Sequence, residues 1–119
     1  MATITTHTLN SVDGTHAGGI AVSVYRLEAD GGRTELFSST TDDGGRLTQE
    51  IPLDGGDATA KYEMVLDTGP YFEALGLGES EQPICSEVVY RFKMPDPSAR
   101  YHIPMMLSPN SYSIWWSSL

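Results

Sequence analysis

Cysteine occurs once in these 119 residues, at Cys85, so no internal disulfide can staple the chain. Small domains of oxidising compartments more often carry paired cysteines, and the expected location is the cytoplasm. Basic residues are scarce as well: 7 Lys and Arg stand against 16 Asp and Glu, a net charge of -9. A chain so acidic, with no basic cluster, is repelled by phosphate backbones and anionic bilayers, which argues against nucleic-acid and membrane partners. Long apolar runs are missing. Nothing approaches the roughly 20 residues of a membrane span, and Met1 to Thr6 has neither the positive nor the apolar region of a signal peptide, so a soluble protein is expected. Histidine is limited to His7, His16 and His102, with no ligand-like pair spacing and no second cysteine, so no metal site and no zinc are implied. Internal repeats and low-complexity tracts are absent too, and the length suits one compact domain over residues 1–119.

What the chain has is a series of short segments rich in β-branched and aromatic residues, separated by Gly, Asp and Pro clusters at intervals of roughly ten residues, the pattern of an antiparallel sandwich or barrel. Strands are predicted at about 3–10, 19–28, 33–40, 46–52, 60–67, 86–95, 100–107 and 111–116. The clearest is 88–94, where Val88, Tyr90, Phe92 and Met94 alternate with Val89, Arg91 and Lys93, as in a half-buried strand. Asp30-Gly31-Gly32 reads as a hairpin turn, and Asp54-Gly55-Gly56-Asp57 as a longer one. The single helical candidate is Pro70 to Leu75. It follows Asp67-Thr68-Gly69, which supplies a capping residue, and stops at Gly76; so short a helix needs packing, expected through Phe72 and Leu75. The acidic, Gly-rich stretch from Gly76 to Pro83 is expected to be mobile.

The most informative stretch is Arg100-Tyr101-His102-Ile103-Pro104-Met105-Met106-Leu107-Ser108-Pro109, followed by Ser111-Tyr112-Ser113-Ile114-Trp115-Trp116-Ser117-Ser118. As a strand it sets His102, Met106 and Ser108 on one face and Tyr101, Ile103, Met105 and Leu107 on the other. By spacing alone His7, on a face with Thr3, Thr5 and Leu9, is a surface or interface residue, Arg46 a solvated loop cation, and His102 a strand imidazole bonded to a neighbouring carbonyl.

The order Tyr-His-hydrophobic-Pro, three hydrophobics, Ser-Pro and a Tyr-Ser pair resembles the C-terminal signature of the transthyretin-like 5-hydroxyisourate hydrolases, enzymes of urate degradation in purine metabolism. Thr6-His7-Thr8-Leu9 with Gly14 and Ala17 is similar to the N-terminal His-x-Leu strand of that family, and Thr41 to Leu47 to its Thr-x-x-x-Gly-Arg loop. The departures are specific. Asn10 stands where an Asp is usual, His16 where a Pro is usual, Arg100 where a His is usual, and Trp115-Trp116-Ser117-Ser118 with Leu119 where the family ends Tyr-Arg-Gly-Ser.

The resemblance implies an all-β, prealbumin (transthyretin)-like antiparallel sandwich of about eight strands with one short helix, assembled as a homotetramer, a dimer of dimers. It implies a hydrolase that opens a cyclic amide in a small heterocyclic substrate without a cofactor, with His7, Arg46 and His102 as the catalytic set. An imidazole near neutrality can take a proton from water and return it to a leaving nitrogen, and a guanidinium suits the charge that develops on the carbonyl oxygen. Ser108, Trp116 and Ser118 are the expected substrate-binding residues, and His16 an exposed loop residue. Two alternatives stay open: a related enzyme whose Trp-Trp terminus takes a more apolar heterocycle, and a non-catalytic carrier of transthyretin type, which has no need of all three polar positions together.

Overall fold

The computed structural model describes residues 1–76 and 84–118. In chain order these form β1 (Ala2–Asn10), β2 (Ala21–Leu27), β3 (Arg33–Thr40), β4 (Arg46–Ile51), a 3-10 turn (Gly55–Asp57), β5 (Lys61–Asp67), α1 (Gly69–Ala74), β6 (Glu87–Lys93), β7 (Arg100–Leu107) and β8 (Tyr112–Ile114). Each strand matches a predicted one with ends within two residues. Two four-stranded sheets result, ordered β4-β1-β7-β8 and β3-β2-β5-β6.

Alternation decides which side of each strand is buried. In β7, Tyr101, Ile103, Met105 and Leu107 turn inward; in β6 Val88 is buried while Val89 and Arg91 face out, and Met94, just past the strand's end, is buried as well. Inward residues of both sheets, among them Ile4, Val22, Met64, Leu66, Ile103 and Met105, make one continuous core. Burial of each such side chain contributes about 1.5–3 kcal/mol. β1 is rich in threonine, and its inward hydroxyls are each satisfied: Thr6 Oγ1 donates to the Ile103 carbonyl at 2.7 Å and Thr8 Oγ1 to Ala17 at 2.6 Å. On the outer face of the other sheet, the buried Glu63 accepts from Arg33 at 2.8 Å and Arg91 at 3.1 Å, tying β3, β5 and β6 together.

Three local expectations differ from the structure. The Asp54 to Asp57 segment does not close a hairpin, because β4 and β5 lie in different sheets; instead Asp54 caps the 3-10 turn, accepting from Gly56 N while Asp57 returns a bond to the Asp54 amide. A Gly-rich turn signal is local and carries no information on sheet membership. The helix does dock through Phe72, which is 2% exposed, but Leu75 is 49% exposed, and Tyr71 packs on the core in its place and accepts from Asn10 Nδ2. Thr68 precedes this helix without capping it; its residue is αR, and its buried hydroxyl has no partner among the described residues. Of the stretch Gly76 to Pro83 expected to be mobile, residues 77–83 lie outside the described residues.

One pairing is parallel. β1 runs beside β7 from Thr3–Arg100 to Asn10–Leu107, while every other strand pair among the described residues is antiparallel. This puts the first strand at the centre of its sheet between β4 and β7, and so gathers residues from both ends of the sequence and from the β3–β4 loop. Among the described residues no helix is long and apolar enough to cross a membrane.

Candidate active site

The outer face of the β4-β1-β7-β8 sheet carries two adjacent cross-strand rows. In one, His7 lies opposite Arg46 on β4 and Pro104 on β7. In the next, Thr5 lies opposite Thr48 and His102, and an isolated bridge sets Ser117 opposite His102. Directly opposed residues have Cβ atoms about 5 Å apart, so His7 and Arg46 form one pair and Thr5 and His102 another, joined by the two-residue spacing of His7 and Thr5 on β1. The catalytic set expected from the sequence is therefore brought to one surface.

Each side chain has a local reason for its position. Thr5 Oγ1 meets His102 Nδ1 at 2.7 Å across the parallel pair, which leaves Nε2 of that ring without a hydrogen bond among the described residues. Arg46 opens β4 directly after a tight loop. Asp42 closes that loop, accepting at 2.9 Å from the amides of both Gly44 and Arg46, while its own amide donates to the Arg46 carbonyl. Gly45 has φ +75°, and a Cβ there would run into the Thr8 carbonyl oxygen, so only glycine lets the loop lie against β1. The Asp42 carboxylate is thus occupied by backbone amides. Among the described residues the Arg46 guanidinium makes no ion pair, which leaves it available to an anion.

Both imidazoles are held below their ordinary value. For His7 the cause is burial first, then the charges of Arg46 and His16, with a bond to the Gly44 backbone opposing them and His102 adding a smaller push downward. For His102 it is burial, then Arg100, then Arg46. Loss of water around a cation and nearby positive charge both favour the neutral ring, the form able to accept a proton.

The substrate-binding residues expected from the sequence fall elsewhere. Ser108 shares the outward parity of His102, but its hydroxyl is engaged in the β7–β8 turn with Ser111, at 2.7 Å from Ser111 Oγ, and the Leu9–Met106 row separates it from His7. The β7–β8 register pairs Met105 with Ile114, and the His102–Ser117 bridge continues it, so Ile103 faces Trp116 and Pro104 faces Trp115. Amide bonds from Trp115 to the Pro104 carbonyl at 3.3 Å and from Ser117 to His102 at 2.9 Å support that alignment. Trp116 consequently turns to the other side of the sheet, where it lines a cavity of about 350 Å3 with Tyr90, Phe92, Tyr101 and Ile103. Ser118 has the parity of Trp116 and is exposed. Trp115 and Ser117 are the terminal residues that share the histidine face.

His16 is exposed, as expected, but it is not without contacts. A bridge pairs it with Leu9, which puts it on the His7 face; its Nδ1 lies 2.9 Å from His7 Nε2, and the two rings stack with centroids 4.9 Å apart. Sequence reasoning passed over Thr5, His16, Trp115 and Ser117. Parity along β1 could have found Thr5, whereas the other three depend on pairings that no local pattern encodes.

Two stacked four-stranded sheets, a parallel first-and-seventh strand pair and an imidazole–guanidinium surface on one outer face define a transthyretin-type sandwich equipped for acid–base chemistry. The chain belongs to the HIUase/Transthyretin family, whose model matches residues 4–116. It is 36% identical to the 5-hydroxyisourate hydrolase of Pseudomonas aeruginosa, over 99% of this chain and 93% of that one. Among solved structures, (S)-allantoin synthase aligns with TM-score 0.80 at 29% identity, covering 98% of this chain, which spans only 44% of that longer one. Sea bream transthyretin in complex with thyroxine aligns with TM-score 0.80 at 26% identity, over 98% of this chain and 95% of that one.

Proposed function

We propose that this chain hydrolyses 5-hydroxyisourate with His7, Arg46 and His102 as its catalytic set. The observation that carries the reading is the pair of adjacent rows that sets two neutral-leaning imidazoles and a guanidinium without an ion pair among the described residues on one open face. Hydrolysis adds water across a ring amide. The water oxygen bonds to the carbonyl carbon, its proton passes to an imidazole, and the C–N bond breaks as a proton returns to the leaving nitrogen. His102 is the better base of the two in this geometry, because Thr5 holds Nδ1 and Nε2 is left to meet water. Arg46, beside His7, stabilises the negative charge on the carbonyl oxygen as water adds. His7 supplies the second acid–base group.

Substrate contacts come from Trp115 and Ser117 in this reading, with Ser108, Trp116 and Ser118 further off. A flat indole beside Pro104 offers a stacking wall to a planar heterocycle, and this observation favours, as a second reading, a substrate more apolar than 5-hydroxyisourate. An absorbance assay on freshly prepared 5-hydroxyisourate separates the two. Turnover by the wild type supports the first reading, with Trp115→Ala expected to raise KM several-fold through loss of about 1 kcal/mol of stacking and Trp116→Ala expected to leave KM unchanged. No turnover from a folded wild type would refute the proposed substrate.

Residues 1–119 act as one transthyretin-like domain, and a homotetramer, a dimer of dimers, is the assembly that best accounts for its surface. The free edges of β6 and β8 lie at the same end of the sandwich, as the cavity between Tyr90, Phe92 and Trp116 requires. Exposed edges invite pairing with a second copy. Tyr112, Trp115 and Trp116 are 48%, 44% and 58% exposed, more aromatic surface than a small monomer ordinarily leaves in water. Light scattering is expected to give about four times the chain mass of 13.0 kDa; a mass of one chain at assay dilution would overturn the assembly. The single free Cys85 suits a cytoplasmic location.

A further inference from the structure

His16 occupies a position where the family pattern has proline, and the hydrolytic reading above makes no use of it. Its placement is nonetheless well determined. The β1–β2 connection folds back on β1 through bonds from the Asn10 amide to Thr15 at 2.8 Å and from the Ala17 amide to Thr8 at 2.9 Å. Asp13 fastens the approach by accepting from both the amide and the hydroxyl of Thr15. Gly14, at φ +79°, turns the chain. The backbone on both sides of His16 is thus bonded, and the Leu9–His16 bridge aims the ring along the sheet face at His7.

We propose that His16 is a positioning residue for His7, holding that ring in one orientation and one tautomer through a hydrogen bond to Nε2 and a stacked face. The proposal rests on the reading of His7 as part of the hydrolytic site. A neutral imidazole has one N–H and one acceptor nitrogen. The Nε2–Nδ1 contact with His16 needs one donor and one acceptor, and the tautomer assigned to His7 carries its N–H on Nδ1. The lone pair then sits on Nε2 and accepts from Nδ1–H of His16 at 2.9 Å. The Nε2 edge of the His7 ring is specified, and the stacked ring at 4.9 Å and 27° restricts rotation. The charged and titratable groups acting on His7 are Arg46 on β4, His102 on β7 and His16 itself. All favour the neutral ring, so removing His16 takes away one such influence and part of the burial, and protonation of His7 moves to higher pH.

The test compares wild type, His16→Ala and His16→Asn, by nitrogen-15 spectra of the imidazoles and by steady-state kinetics on 5-hydroxyisourate. Wild type is expected to show His7 with Nδ1 protonated and Nε2 bare above its titration. In His16→Ala the two tautomers average and the His7 midpoint rises. kcat/KM falls about 10-fold, chiefly in kcat, because a misaligned group loses rate more than binding. His16→Asn, whose amide can still donate to Nε2, recovers the tautomer bias and part of the rate, which a merely structural loop residue would not do. An unchanged His7 tautomer and midpoint in a folded His16→Ala protein would overturn the proposal whatever the kinetics. The spectral changes without turnover by any variant would uphold the His16–His7 coupling and refute the hydrolase reading on its own.

Discussion

His102→Asn is expected to lower kcat/KM on 5-hydroxyisourate by about 10² or more while fold and assembly stay intact, since an amide can still meet Thr5 but cannot take a proton from water. Arg46→Ala is expected to cost about the same, the usual effect of removing one group that stabilises an oxyanion. The pH profile checks the same chemistry. Both imidazoles are held below their ordinary 6.5, His7 by burial and Arg46 and His102 by burial and Arg100. A depressed value means that the neutral, proton-accepting form survives as pH falls below 6.5 and is lost only when pH passes the lower folded-state value. The acid limb of kcat/KM is accordingly expected below pH 6.5, and a limb centred above it would contradict the electrostatics of the site. Near-normal turnover by folded His102→Asn would remove it as the base.

Gly45→Ala is the substitution expected to cost most in stability. At φ +75° an L-residue is strained by about 1–2 kcal/mol, and here the added Cβ also meets the Thr8 carbonyl oxygen, with the Thr8 hydroxyl and the Ala17 carbonyl beside it. Those groups bond to one another and to the loop: Thr8 N donates to Gly45 O at 2.7 Å and Thr8 Oγ1 to Ala17 O at 2.6 Å. The chain has little room to yield, and a loss of about 3 kcal/mol, or roughly 10 °C in Tm, is expected from a circular-dichroism melt. The same change pushes Arg46 away from β1, so specific activity of the remaining folded protein should fall too. A melt within about 2 °C of wild type would show that the loop can move aside.

Strand positions were legible because side-chain alternation is a local property, and 87–93 and 100–107 display it, apart from Pro104, which is buried between two inward residues. His7, Arg46 and His102 were legible through motif resemblance rather than through any pattern of burial. Sheet membership was not. Asp54-Gly55-Gly56-Asp57 has the composition of a hairpin turn, yet the chain crosses from one sheet to the other there, a choice made by packing of distant strands. The terminal tryptophans show the sharpest case. Alternation requires one indole on each face, but which one joins the histidines depends on the register of the last segment against β7, and a one-residue slip exchanges them. His16 escaped for a similar reason, since its neighbour across the bridge, Leu9, is fixed by the loop bonds of Asn10, Thr15 and Ala17.

The parallel pairing of β1 with β7 ties this protein's function to the order in which it is made. Thr5 and His102 touch across 97 residues of chain, and no stretch of polypeptide that stops before β7 contains both walls of the site. During synthesis the amino-terminal strand leaves the ribosome first and has neither of its central partners until β4, and then β7, follow. Until β7 is made β1 is a Thr-rich strand with at least one unpaired edge, held back from aggregation by polar side chains rather than by a second neighbour. Loss of β7 (Arg100–Leu107) would take away a central strand of the β4-β1-β7-β8 sheet together with His102, the partner of Thr5.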